Sequence, residues 1–138
     1  METRVIVADN TRARIFTSHS VINHLQEVED FVHPEARLSN RELTEDSSGK
    51  SVDQHGSLDP GTSAKEHEER SFALLLGRHL KALHNDQHFE QLILVASPRF
   101  LGMLRKALPG PLDQLVTKSI DKDLTTADVD TIIDYIKR

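Results

Sequence analysis

The chain has no cysteine, which excludes a disulfide framework, thiolate catalysis and any metal site with sulfur ligands. Tryptophan is absent and Tyr135 is the single tyrosine, so a core has to be assembled mostly from leucine, isoleucine, valine and alanine. No stretch approaches the roughly 18 apolar residues of a membrane-spanning helix. The opening METRVIVADNTRARIF has an apolar run shorter than the ~7–15 residues of a secretory core, and no small-residue cleavage site follows it. A cytoplasmic location without membrane contact is the expectation. Positive charge is also in deficit, with 17 Lys and Arg against 22 Asp and Glu and a net charge of −5. That argues against wholesale wrapping by nucleic acid but leaves room for a local basic face.

What is present fits one compact unit: 138 residues suffice for a single core. Arg4–Ala8 is a buried-strand pattern closed by Asp9-Asn10. Arg12–Thr17 alternates, with Ala13 and Ile15 on one face and Arg12, Arg14 and Phe16 on the other, so the two read as a hairpin. A third strand is expected within Leu25–Val32, ended by His33-Pro34. Residues 39–62 are rich in Ser, Asp, Gly and Pro and offer little to bury, which predicts a long mobile loop. The clearest helix runs from Ser63 to about His84. Ser63 and Glu66 suggest a capping box, Glu66, Glu68 and Glu69 suit the first turns, and Phe72, Leu76, Leu80 and Leu83 form the stripe. LILVA at 92–96 predicts a central strand, and Ser97-Pro98 opens a helix that Pro109-Gly110-Pro111 stops. Leu115–Ile120 predicts an edge strand, and Thr125 can cap a terminal helix bearing Val129, Ile132, Ile133 and Ile136. The order β-β-β-loop-α-β-α-β-α implies a single α/β domain over 1–138, with a mixed sheet of about five strands flanked by helices.

Gly49-Lys50-Ser51 resembles the end of a phosphate-binding loop, but the pattern G-x-x-x-x-G-K-S/T needs glycine where Thr44 stands, and no strand precedes it. Eight histidines tempt a metal reading. His84 and His88 straddle a helix end at Asn85-Asp86, and His67 lacks the H-E-x-x-H pattern. No metal, cofactor or catalytic group is implied. Asp9 is a candidate base, with a local turn bond as the plainer role. Two strand ends carry the more specific constellation, Asp9, Asn10 and Arg12 after one and Ser97 and Arg99 after the other. Ligands of open α/β sheets gather there, and a helix N-terminus attracts anions. If the strands are neighbours, Arg12 and Arg99 can meet a phosphate or carboxylate. Arg37, Arg41 and Lys50 flank the long loop and offer contacts to a phosphate backbone, although Glu42, Glu45, Asp46 and Asp53 lie among them.

The segments VIVADNTRARIF, FVHPEARLSNREL, SFALLLGRHLKA, LILVASPRFLGMLRKAL and KDLT together resemble the bacterial host attachment protein family, over nearly the whole chain. That family is similar to the central domain of archaeal and eukaryotic class I release factors and of Pelota-type rescue proteins. The resemblance implies a mixed sheet with flanking helices, and it sets the long loop where release factors carry Gly-Gly-Gln. Here the nearest letters are Gln54-His55-Gly56, and Gly-Gly-Gln occurs nowhere, so hydrolysis is not carried over. The expectation is a non-catalytic module that binds a ribosome or structured RNA and affects attachment indirectly. Two alternatives stay open. One is a small-anion or nucleotide-handling enzyme at the crevice of Asp9, Arg12, Ser97 and Arg99. The other is a protein-interaction module with a protein partner. A homodimer is compatible with the sequence and nothing in it demands one.

Overall fold

The computed structural model describes residues 2–19, 24–33 and 60–138, with the backbone alone for 60–63. Strands β1 (Thr3–Ala8), β2 (Arg12–Ser18), β3 (Gln26–Val32), β4 (Gln91–Ala96) and β5 (Val116–Ile120) form one sheet. Helix α1 (Pro60–Asp86) precedes β4. Helix α2 (Pro98–Ala107) and the short α3 (Gly110–Asp113) separate β4 from β5, and α4 (Val129–Lys137) follows β5. The spatial order is β3-β2-β1-β4-β5. The β1–β2 and β2–β3 pairs are antiparallel, while β1–β4 and β4–β5 are parallel, so the sheet is mixed as expected.

The two wholly apolar runs lie side by side at the centre, paired from Thr3 with Gln91 to Ala8 with Ala96. Central strands covered on both faces need apolar side chains at every position rather than every second one. The β1–β2 turn is fixed by Asp9, whose Oδ1 accepts from the backbone N–H groups of Thr11 at 2.8 Å and Arg12 at 2.9 Å. On one face Ile6, Ala13, Ile15, Leu92 and Leu94 pack under α1 and α2. On the other Val5, Val7, Phe16, Ile93 and Val95 meet Leu124, Ile132 and Ile136. Helices α1 and α2 run parallel: Phe72 stacks on Phe100 with ring centroids 5.8 Å apart, and Gly77 lies against Ala107. A Cβ at Gly77 would come within 2.7 Å of the Ala107 carbonyl oxygen, so the close approach requires glycine there.

Several local expectations change. Helix α1 begins at Pro60 rather than Ser63, because proline suits a first turn whose N–H groups have no intrahelical partner. Ser63 is therefore inside the helix and no capping residue, and Glu66, Glu68 and Glu69 lie beyond the first turn. Glu66 instead pairs with Arg70 at 2.7 Å. Ser97 has an N-cap backbone but makes no side-chain cap bond. Pro109-Gly110-Pro111 ends α2 and also opens α3, again with proline in the first turn. Asp128, not Thr125, caps α4 by accepting from the Thr131 N–H at 2.9 Å. Thr125 is buried and donates to Asp123 Oδ1 at 2.7 Å. No helix among the described residues is long and apolar enough to cross a membrane.

Candidate functional site

With Ala8 and Ala96 paired in parallel, the carboxyl ends of β1 and β4 open side by side, and Asp9, Asn10, Ser97 and Arg99 follow them at one end of the sheet. The structure brings Asn10 and Arg99 together through a third residue. Asn10 Nδ2 donates to Glu69 Oε2 at 3.2 Å, and an Arg99 guanidinium nitrogen lies 3.0 Å from Glu69 Oε1. The second contact is an ion pair without hydrogen-bond alignment. The Glu69 side chain is 10 % exposed and that of Arg99 is 56 % exposed. The carboxylate therefore sits beneath the arginine, where an anion approaching Arg99 has to compete with it.

Arg12 is set apart from this group. It shares its side of β2 with Arg14 and Phe16, and Phe16 belongs to the core beneath α4. Its guanidinium is held by Asp30 through two nitrogens, at 2.9 Å and 3.2 Å. Asp30 holds Arg12 firmly in its charged form, above the ordinary range for arginine. Arg14 donates to the Thr125 and Ala127 carbonyls at 3.1 and 2.8 Å. Asp9 Oδ2 faces Thr125 Oγ1 at 3.4 Å. The α4 side of the sheet edge is thus a set of internal ties, and the α1–α2 side carries the Asn10–Glu69–Arg99 cluster. Arg37, Arg41 and Lys50 lie outside the described residues.

Two participants were not singled out by the sequence. Glu69 stands three, four and seven positions before Phe72, Ala73 and Leu76, so a carboxylate interrupts an apolar stripe. That interruption was the available signal. His33 is fully buried, stacks on Phe72 at 5.0 Å and has no hydrogen-bond partner at either ring nitrogen among the described residues. Its sequence context, before a proline at a strand end, gives no hint of this. His84 and His88 stack across the end of α1, with centroids 5.2 Å apart. No group of three His, Cys, Asp or Glu side chains able to hold a metal occurs among the described residues.

Residues 4–136 match the model of a family described as "Protein required for attachment to host cells". An uncharacterized protein of Rickettsia prowazekii (strain Madrid E) is 38% identical over 80 residues, covering 56% of this chain and 53% of that protein. The chain thus matches about half the length of that curated relative. Among solved structures, the fold is similar to an archaeal translation termination factor with TM-score 0.52 and 10% identity, over 98% of this chain and 36% of that one. At that identity the likeness is one of fold. A Ppx/GppA phosphatase of Aquifex aeolicus is similar at TM-score 0.44 and 14% identity, over 87% of this chain and 35% of that one, a level from which nothing is drawn.

Proposed function

The chain belongs to the family of proteins required for attachment to host cells, and from that premise we propose that it is a non-catalytic module that binds ribosomes or structured RNA. Its effect on attachment is then indirect, exerted through translation. The observation that carries this reading is the fold likeness to a termination factor, which extends over 98% of the chain. The sequence adds Arg37, Arg41 and Lys50 around a long polar segment, which are suited to phosphate contacts. The same segment has no Gly-Gly-Gln, so the proposed role is recognition without ester hydrolysis.

The strand-end cluster weighs against the small-anion alternative. A phosphate at Arg99 has to compete with Glu69, and one at Arg12 has to displace Asp30. The two arginines also address opposite sides of the sheet. Cosedimentation of the purified protein with ribosomes, at low and moderate salt, tests the proposal. Binding that falls with salt and is lost in an Arg37→Ala, Arg41→Ala, Lys50→Ala variant supports it. No binding at either salt sinks it. Retention after nuclease treatment, on a discrete protein from lysate, would favour the protein-interaction alternative.

A further inference from the structure

Most arginines of the described chain are engaged internally. Arg4 bonds Thr17 and Gln87, Arg12 bonds Asp30, Arg14 bonds Glu27, and Arg105 bonds Asp113. Arg70 and Arg99 pair with Glu66 and Glu69. Arg78, Lys81 and Lys106 differ. No carboxylate among the described residues lies within ion-pair distance of any of them. All three sit on the outer surface of the α1–α2 pair.

Their relative placement follows from the helix contacts. Glu69 meets Arg99, Phe72 meets Phe100 and Gly77 meets Ala107, so α1 and α2 run alongside each other in near-constant register. At about 100° per residue, Arg70, Leu74 and Lys81 fall on the solvent side of the Gly77 contact line, within roughly 60° of it. By the same period Met103 and Arg99 flank that line on α2, while Lys106 on α2 and Arg78 on α1 each lie about 100° from it, on the outer ridges of the two helices. The result is a shallow groove between the two helices, with Lys81 beside it on α1 and Arg78 and Lys106 on its outer rims. Leu74 is 48% exposed at its middle.

We infer that this groove is a docking surface for an RNA phosphate backbone. The inference rests on the reading of the chain as an RNA-associated module and assigns to it a contact surface in addition to Arg37, Arg41 and Lys50. Charge complementarity carries it. In a chain of net charge −5, unpaired cations with no neighbouring carboxylate to satisfy them are matched by a polyanion. On α1, Glu66 and Glu69 pair with Arg70 and Arg99. A phosphate backbone needs no deep pocket, and its contacts are made by long basic side chains along a ridge.

The test is binding to purified bacterial 70S ribosomes across a potassium chloride series, with three proteins compared. They are the parent, Lys81→Gln/Lys106→Gln, and Lys122→Gln/Arg138→Gln as an equal charge change elsewhere on the surface. Each lost phosphate contact lowers the slope of log affinity against log salt by about 0.7–0.9. The groove variant should bind more weakly with a slope smaller by about 1.5, and the control should match the parent. Equal thermal midpoints for all three would exclude misfolding as the cause. Parent binding that the groove variant retains, or that both variants weaken alike, overturns the groove and leaves the reading at Arg37, Arg41 and Lys50 standing. A parent that does not bind at any salt overturns both.

Discussion

Gly77 and Gly102 are both helical glycines, yet alanine at each should move stability in opposite directions. At Gly77 the new methyl meets the Ala107 carbonyl oxygen at 2.7 Å. Overpacking of this kind costs about 1–3 kcal/mol, more than offsetting the gain of roughly 1 kcal/mol in helix propensity. At Gly102 nothing lies within 4 Å, so the propensity gain stands alone at up to about 1 kcal/mol. Urea midpoints should fall for Gly77→Ala and rise for Gly102→Ala. Glu2 supplies a pH dependence. Its carboxylate accepts from Thr17 Oγ1 at 2.6 Å and from the buried Arg4, and these contacts hold its pKa below the ordinary glutamate range, the Thr17 bond first among them. A depressed carboxyl stabilises the fold above its unfolded pKa, and that contribution disappears as pH falls through the folded one. Glu2→Gln should therefore be less stable than the parent at neutral pH, with the gap closing at acid pH below the ordinary glutamate range. A gap constant from neutral to acid pH would contradict this.

At the scale of elements, the rings of Phe31, Phe72 and Phe100 stack in sequence, with Phe72 at the centre and centroid separations of 5.8 Å on both sides. This column joins β3, α1 and α2. Phe72→Ala should cost about 3–5 kcal/mol, a large part of the roughly 5–15 kcal/mol typical of a domain. Phe72→Leu should cost distinctly less, and chemical denaturation would read both. For α4, Asp128→Ala should lower the thermal midpoint by freeing the Thr131 N–H, while Thr126→Ala, on an exposed residue of the preceding turn, should not. The strands and helices were legible because VIVA and LILVA can only be central and because Phe72, Leu76 and Leu80 keep a helical period. Cap choice was less legible. Thr125 and Asp128 are both good caps three residues apart, and the choice depends on Thr125 being buried against Asp123.

For the whole molecule, the mixed sheet and the order of elements along the chain could be read from the sequence, whereas the spatial strand order and the partners of the charged side chains could not. Alternation along β2 already put Arg12 on the side of Phe16, but which helix covers that side depends on the complete topology. The meeting of Glu69 with Arg99 depends on the register of two parallel helices, and that register is set by the contact of Gly77 with Ala107. The broken stripe at Glu69 was visible; its partner was not. These long-range pairings tie Asn10 and Arg99 to Glu69 and Arg12 to Asp30, and leave Arg78, Lys81 and Lys106 without a carboxylate partner among the described residues on the α1–α2 surface. The central claim is association with ribosomes, and the most direct measurement is the position of the protein in a sucrose gradient of cell lysate at physiological salt. It should migrate with the ribosomal fractions and shift to the top of the gradient when salt is raised. Recovery only at the top at every salt would contradict it.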